Sequence, residues 1–159
     1  PRQNWLDGAM VTMARPESCR GQPAGGRLTH RVPPRTSNTS TSSRPSSLRA
    51  GLDAFRTFGG VRWLVLGEMR ELGDSADELH AEVGRYAKQA GVARLFAVGE
   101  RSRFAVEAFG PGAQWFASLD ALIAEASKSL TAGVAVLIKG SRANRLERVA
   151  AALAKDKGA

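Results

Sequence analysis

The sequence is poor in cysteine, histidine and long apolar runs, and each shortage excludes a class of protein. Its single cysteine, Cys19, excludes an internal disulfide and a cysteine metal cluster, which is consistent with a reducing compartment. No apolar run approaches the about 20 residues of a membrane span, and no charged-then-apolar signal segment opens the chain. We therefore expect a cytoplasmic protein without a membrane partner. The chain begins at Pro1, and we expect it to be a piece of a longer protein.

Common catalytic and nucleotide-binding signatures are also missing. The sequence holds no G-x-x-x-x-G-K-[ST] phosphate loop and no G-x-G-x-x-G fingerprint, which are the usual primary sites for ATP and NAD phosphates. Its two histidines, His30 and His80, fall in different regions, which excludes a Ser/His/Asp triad and a histidine metal site. His80 lies on a predicted helix between Glu78 and Glu82, and we expect its side chain to be solvated. We expect no catalytic residue and no metal site in this chain.

The positive charge is distributed unevenly. Of the formal net charge of +8, residues 1–46 carry +5, from seven arginines against two acidic residues. Residues 47–159 carry the other +3, from sixteen basic against thirteen acidic residues. The arginines of residues 1–46 are scattered, without lysines or interleaved aromatic residues, which favours a solvated segment over a nucleic-acid-binding arm. A basic-tailed nucleic-acid binder is therefore the least favoured functional hypothesis, and we expect no nucleic-acid partner.

The spacing of apolar residues along the chain changes at about residue 46. Residues 1–46 have no sustained apolar period, and their Ser/Thr-rich stretch 36–43 predicts disorder. Four apolar residues near the start allow at most one short amphipathic turn: Trp5, Met10, Val11 and Met13. Residues 47–159 alternate between apolar runs and stretches with helical spacing. We therefore predict a disordered tail over residues 1–46 and a folded domain over residues 47–159.

Residues 47–159 predict an α/β domain with a doubly wound, mostly parallel sheet. Four short apolar runs predict strands at residues 61–66, 94–98, 114–117 and 134–138. Between them lie stretches with an apolar face at helical spacing, several of which end at glycine. This alternation is typical of βαβ crossovers, which produce parallel sheets.

Two loops that leave predicted strands carry the candidate site. Lys139, Gly140, Ser141 and Arg142 follow a fully apolar run and precede a helix. Open parallel sheets bind ligands outside the carboxyl ends of their strands, and cationic side chains beside a helix start favour an anion or a carboxylate. On spacing alone, a charged strand end followed by a capped helix is an equally good explanation. In either case we expect the Lys139 and Arg142 head groups to be exposed.

Three further residues are weaker candidates. Glu68 and Glu71 follow the first predicted strand, where a carboxylate can contact a ribose hydroxyl, a metal-bound water or an ammonium group. The simpler alternative, which their spacing alone favours, is that both are solvated. Arg145 follows the second loop and is a candidate for the edge of the site, whereas we expect Arg148 to be solvated.

Several motifs in the same order resemble one family. They are Gly-Glu-Met-Arg-Glu-Leu-Gly at 67–73, Leu-His-Ala-Glu-Val-Gly at 79–84, Leu-Phe-Ala-Val-Gly at 95–99 and Val-Leu-Ile-Lys-Gly-Ser-Arg…Leu-Glu at 136–147. Together they resemble the C-terminal domain of the MurF-type ligases, the UDP-N-acetylmuramoyl-tripeptide–D-alanyl-D-alanine ligases of bacterial cell-wall synthesis. The resemblance covers about residues 45–156.

The resemblance implies one domain of a three-domain, ATP-dependent, cytoplasmic ligase that acts as a monomer. In that reaction ATP phosphorylates the tripeptide carboxylate, and the D-Ala-D-Ala amine attacks the acyl phosphate. The phosphate-loop lysine and the Mg²⁺ ligands belong to a central domain outside this chain, so we expect the chain alone to be inactive. The implied substrate-binding residues are Lys139, Gly140, Ser141 and Arg142, and the implied nucleotide or cleft contacts are Glu68, Glu71 and Arg145. The competing hypothesis is a non-catalytic nucleotide- or anion-binding α/β module, because a fold does not determine a function.

The sequence departs from the family pattern at two places. Glu68 stands where the family's first motif usually has aspartate, which keeps the charge on a longer arm. The family's Asp-Asp-x-Tyr-Asn-Ala-Asn-Pro segment has no counterpart in residues 38–44, so the interdomain hinge and its nucleotide contacts look lost. Residues 1–44 align with nothing in the pattern. A divergent start and an out-of-frame translation are both open explanations.

Overall fold

The computed structural model describes residues 3–6, 9–13, 45–70, 72–131 and 133–155. Within these ranges six strands form one sheet: β1 (Gln3–Leu6), β2 (Ala9–Met13), β3 (Val61–Gly67), β4 (Arg94–Val98), β5 (Ala113–Phe116) and β6 (Val134–Lys139). Five α-helices accompany them: α1 (Pro45–Phe55), α2 (Ala76–Gln89), α3 (Arg103–Phe109), α4 (Leu119–Ser129) and α5 (Glu147–Lys155). None of the helices in this part of the chain is long and apolar enough to cross a membrane.

The central part of the sheet is parallel. The strand order is β1-β2-β6-β3-β4-β5, and β6, β3, β4 and β5 all run in the same direction. Their four predicted positions agree with the structure to within one residue at each end. The reason is that strands with both faces covered consist of continuous apolar runs, and all six residues of β6 are buried. The prediction of a doubly wound, mostly parallel sheet is confirmed.

Helices cover both faces of this sheet. Along β3, Leu64 and Leu66 pack into a core shared with α1, α2 and α3, whereas Trp63 and Val65 pack into a second core with α4 and α5. The alternation follows from the two-residue period of a strand, which sends successive side chains to opposite faces. The domain therefore has three layers, with the sheet in the middle.

The winding of the chain reverses between β3 and β6. From β3 the chain passes through α2 to β4 on one side, and β6, which is reached later through α4, pairs with β3 on its other side. Because α2 packs on one face and α5 on the other, the segments that follow β3 and β6 diverge. Open α/β sheets bind their ligands at the carboxyl ends of the strands at such a switch point. Both predicted site loops start there.

Strands β1 and β2 correct the prediction that residues 1–46 form a disordered tail, for the residues that they contain. β2 pairs antiparallel with β6, with Met10 opposite Ile138, and β1 pairs antiparallel with β2. The pairing has a physical reason, because without β2 the buried strand β6 would be an edge with unpaired backbone groups. The rest of residues 1–44, with Cys19 and His30, lies outside the described residues.

The first helix starts two residues before the predicted start of the folded domain. α1 begins at Pro45, and proline is favoured at the first helical position because its missing N–H has no partner there in any case. It ends at Phe55, and Phe58 lies in the turn that follows, where its N–H donates to the Phe55 carbonyl at 3.1 Å.

Candidate functional site

The two loops at the switch point touch through a pair of glycines. We call residues 68–72 the β3 loop and residues 140–146 the β6 loop; Glu71 lies outside the described residues. A Cβ on Gly140 would lie 2.8 Å from the Cα of Gly67 and 2.7 Å from the Leu146 Cδ1. Contacts this short force atoms to shift, so a residue without a side chain is needed here. Gly140 therefore allows the two loops to start in contact; that it also admits a ligand to the backbone stays a prediction.

Three hydrogen bonds tie the loops together. The Glu68 carbonyl accepts from the Ser141 N–H at 3.4 Å and from the Asn144 Nδ2 at 2.7 Å. The Arg70 N–H donates to the Ser141 Oγ at 2.9 Å. Because Ser141 accepts this bond through its oxygen, its hydroxyl hydrogen stays available to a ligand oxygen.

His80 holds the β3 loop from the other side, and the expectation that it is solvated is wrong. The residue is 0% exposed, because the β3 loop lies against the first turns of α2. Its Nε2 accepts from the Met69 N–H at 3.1 Å, and its Nδ1 is 2.6 Å from the Ala76 carbonyl oxygen. A backbone N–H only donates and a carbonyl only accepts, so these partners require the neutral ring with its hydrogen on Nδ1.

Lys139 is the last residue of β6, and it is buried, with 8% of its surface exposed. Strand alternation places it on the same face as Leu137, which belongs to the core of α1, α2 and α3. The expectation of an exposed Lys139 is therefore wrong. A lysine on a strand is exposed or buried according to what covers its end, and the sequence around it does not specify that.

The arginines of the β6 loop are placed as follows. Arg142 begins a short 3₁₀ turn that runs to Asn144, and its side chain lies outside the described residues. Arg145 is exposed and has a φ of 49°, in the left-handed region that costs an arginine about 1–2 kcal/mol. The strained residue lies just before α5, where its carbonyl accepts from the Arg148 N–H at 3.0 Å.

A third loop, after β4, adds a residue that the sequence reasoning missed. Arg101 lies with its Nε 3.9 Å from a Glu68 carboxylate oxygen and 3.9 Å from one of Asp77. The approach requires Gly99, which has a φ of 101° and where a Cβ would lie 2.6 Å from the Glu68 Cβ. The signal for Arg101 was its place directly beyond a third parallel strand.

The chemistry of this edge favours an anion. Exposed Arg70, Arg101 and Arg145 lie on the loops that leave β3, β4 and β6, respectively, and the β6 loop also carries the Ser141 hydroxyl. Guanidinium groups and a hydroxyl recognise carboxylates and phosphates through charge-assisted hydrogen bonds. In the part of the chain that the structure describes, no group of three histidine, cysteine or acidic side chains is arranged to hold a metal ion.

Comparisons with known proteins point to one family. Residues 28–142 match the family described as Mur ligase, glutamate ligase domain. The UDP-N-acetylmuramoyl-tripeptide–D-alanyl-D-alanine ligase of Escherichia coli (strain K12) is 36% identical over 109 residues, which cover 67% of this chain and 24% of that protein. The ligase of the same name from Mycobacterium tuberculosis (strain CDC 1551 / Oshkosh) is 37% identical over 139 residues, covering 72% and 27%.

Solved structures show the same fold. A crystal structure of MurF from Acinetobacter baumannii matches with a TM-score of 0.61 and 28% identity, over 70% of this chain and 26% of that one. The MurF ligase from Thermotoga maritima in complex with ADP matches with a TM-score of 0.61 and 23% identity, over 70% and 26%, and supports the fold alone. The chain spans about a quarter of the length of the relatives that it matches. The family match begins at residue 28, so it extends into the segment 1–44 that we expected to lie outside the family.

Proposed function

Because this chain belongs to the Mur ligase family, as a C-terminal domain of the MurF type, we propose that it serves an ATP-dependent ligase that adds D-Ala-D-Ala to UDP-N-acetylmuramoyl-tripeptide in peptidoglycan synthesis. The names of the relatives support this substrate pair. The complete enzyme is proposed to be cytoplasmic and monomeric, without a nucleic-acid partner. The Mur ligase C-terminal domain is proposed to span residues 47–159, with β2 of the preceding segment added to its sheet beside β6.

The observation that carries the proposal is the meeting of the β3 and β6 loops at the switch point. In the proposed reaction the tripeptide carboxylate takes the γ-phosphoryl group of ATP. The dipeptide amine then attacks the acyl phosphate, so that an amide forms and phosphate leaves beside ADP. The dipeptide carboxylate and the acyl phosphate are both anions, for which this edge has cationic side chains and a hydroxyl. We propose that Arg142 binds the dipeptide carboxylate and that Ser141 donates to an oxygen of the carboxylate or of the acyl phosphate. Lys139 is proposed to contribute positive charge to the loop.

The residues present fit a phosphate better than a metal ion. Glu68 and Arg145, with Glu71, are proposed to contact the nucleotide or the cleft. Bound ATP would supply the phosphoryl group that activates the carboxylate. No three histidine, cysteine or acidic side chains are grouped for a metal ion among the described residues, and the magnesium ligands are proposed to lie in another domain.

A kinetic experiment on a full-length ligase that carries this domain tests the assignment. We expect Arg142→Ala to cost about tenfold to a hundredfold in turnover or dipeptide affinity, since a hydrogen bond to a charged group contributes about 1.5–3 kcal/mol. Lys139→Ala is expected to act in the same direction, with a loss of stability because the residue is buried. Arg85→Ala is the matched control, since Arg85 is an exposed arginine of α2 that pairs with Glu78 at 2.5 Å. Wild-type kinetics for Arg142→Ala would remove the β6 loop from the site.

The isolated chain provides the second test. Without a phosphate loop it is expected to release no ADP when it is given ATP, the tripeptide nucleotide and D-Ala-D-Ala. Release that requires both substrates would contradict the proposal. If a full-length ligase with Arg142→Ala keeps wild-type kinetics while the chain alone binds ATP or phosphate tightly, the non-catalytic anion-binding module is the better explanation.

A further inference from the structure

One peptide unit at the switch point is held at both ends by different parts of the fold. The peptide that joins Glu68 to Met69 presents its carbonyl oxygen to the β6 loop, where Asn144 donates to it at 2.7 Å and the Ser141 N–H at 3.4 Å. Its N–H points the other way and donates to the His80 Nε2 at 3.1 Å. The two ends of a peptide unit are rigidly coupled, because the unit is planar. Fixing the N–H therefore fixes the direction of the carbonyl.

The group that fixes the N–H is unusually well defined. His80 is fully buried, and its Nδ1 lies 2.6 Å from the carbonyl oxygen of Ala76, one turn earlier on α2. That bond uses the ring hydrogen and leaves the lone pair of Nε2 toward Met69. Ring orientation and tautomer are thus determined by the helix itself. Through His80, the position of α2 therefore determines where the Met69 N–H of the β3 loop is held.

The same peptide is hydrogen-bonded to residues of the candidate ligand site. Its carbonyl accepts from Ser141 and Asn144, and the following N–H, of Arg70, donates to the Ser141 Oγ at 2.9 Å. A rotation of this peptide would remove its two bonds to the β6 loop. The orientation of Ser141, and with it that of the segment from Lys139 to Arg142, therefore depends on a bond made on the far side of the β3 loop.

We propose that His80 is a positioning residue, which orients the peptide between Glu68 and Met69 and so sets the β6 loop for its anionic ligand. His80 acts through the backbone and does not touch the ligand. The proposed ligand, the dipeptide carboxylate or the acyl phosphate, rests on the proposed function. The orientation of the loop by His80 does not rest on it.

Nuclear magnetic resonance on this chain tests the positioning directly. The imidazole nitrogen shifts of His80 are expected to report a protonated Nδ1 and an unprotonated Nε2. In His80→Leu the exchange rates of the Met69, Arg70 and Ser141 amides are expected to rise by about tenfold or more, because a buried donor loses its acceptor. His80→Gln is expected to restore most of the protection, since its side-chain oxygen can accept the same N–H. Wild-type amide shifts and exchange in His80→Leu would overturn the proposal.

Val83→Ala is the matched control for stability. Val83 lies one turn after His80 on the buried face of α2. Its apolar side chain cannot form a hydrogen bond to the β3 loop. We expect it to lower the unfolding midpoint without a selective change at the Met69, Arg70 and Ser141 amides. An equal change at these amides would reduce His80 to an ordinary core residue and overturn the proposal. If His80→Leu does not fold, Asn144→Ala decides by opening the other end of the peptide, with the same expected rise at Ser141.

Kinetics in the full-length ligase separate this inference from the proposed function. His80→Leu is expected to raise the KM for D-Ala-D-Ala by about tenfold with a smaller change in kcat, and His80→Gln is expected to recover most of it. If Arg142→Ala impairs dipeptide binding and His80→Leu does not, the proposed function stands and the positioning role is overturned. If neither variant matters, the proposed function falls, and the amide exchange of the isolated chain alone decides whether His80 sets the loop.

Discussion

At the switch point the His80 and Asn144 side chains bind backbone atoms in a fully buried and a partly buried setting, respectively. Between α1 and α2, by contrast, polar side chains bind one another at the exposed surface. On that surface the Tyr86 hydroxyl donates to the Asp53 carboxylate at 2.6 Å. Arg49 pairs with Glu82, and its guanidinium lies 5.3 Å from the centre of the Tyr86 ring. Both regions are rich in polar contacts. They differ in how far solvent reaches those contacts and in what the contacts hold.

The difference determines what each contact contributes. Exposed ion pairs contribute about 0–1 kcal/mol, because water screens the charges and two flexible side chains lose freedom. A buried polar group that loses its partner costs about 1–3 kcal/mol, because nothing replaces the bond. The α1–α2 surface can therefore change with little effect on the fold, whereas the switch point cannot. This contrast is what a ligand site needs, since its loops must be held before the ligand arrives.

The largest effect is expected from the same substitution made in each region. Gly140→Ala is expected to destabilise the domain by about 1–3 kcal/mol, because its Cβ would meet the backbone of Gly67 at 2.8 Å and cannot be relieved by a side-chain rotation. Gly51→Ala, in α1, is expected to stabilise it by about 0.5–1 kcal/mol, since no atom lies within 4 Å of the added Cβ. Urea unfolding of both variants measures the difference. Equal effects of the same sign would break the comparison.

A smaller difference is expected when one hydrogen bond is removed from each region. Asn144→Ala removes the amide that donates to the Glu68 carbonyl at 2.7 Å, and we expect a loss of about 1 kcal/mol in the free energy of unfolding. Glu82→Gln removes the charge that pairs with Arg49 at a site where the glutamate side chain is 34% exposed, and we expect a change within about 0.5 kcal/mol. Added salt should reduce only the Glu82→Gln effect. A larger loss for Glu82→Gln than for Asn144→Ala would reverse the comparison.

The sequence predicted the parallel strands well because a strand covered on both faces must be apolar throughout. It also placed the candidate site in the loops after β3 and β6, because open parallel sheets bind ligands outside the carboxyl ends of their strands. That these two strands are neighbours in the sheet comes from the structure. The hairpin of β1 and β2 was missed, although Asp7-Gly8 between them is a dipeptide typical of two-residue hairpin loops. The strands on either side are short, and β2 is explained by the edge of β6, which is distant in the sequence.

Within the site, Ser141 was a candidate from the sequence and holds the loops in the structure, whereas His80, Asn144 and Arg101 were missed. Charged and hydroxyl side chains after a strand, such as Lys139, Ser141 and Arg142, can be recognised as ligand-binding candidates from the sequence. The roles of His80 and Asn144 depend on their contacts with the β3 loop, which the sequence does not show. His80 lies between two glutamates on a helix, a pattern typical of an exposed face, and it is buried only because the β3 loop folds over it. Such a contact joins segments whose mutual orientation no local pattern encodes.

The smallest effect is expected at Tyr86, the single tyrosine of the chain. Its hydrogen bond to the Asp53 carboxylate, with burial and the negative charge of Asp53, raises the pKa of the hydroxyl above its ordinary value of about 10. A raised pKa in the folded state means that this stabilisation is present below the unfolded pKa and is lost as the pH rises through the folded pKa. Tyr86→Phe is therefore expected to lower stability near neutral pH by less than the other substitutions do, and to flatten its fall in alkali. The tyrosinate absorbance of the wild-type chain should rise at a higher pH than that of Asp53→Ala. If the wild-type tyrosinate absorbance rises at the same pH as that of Asp53→Ala, or at a lower one, the bond between Tyr86 and Asp53 does not stabilise the neutral hydroxyl.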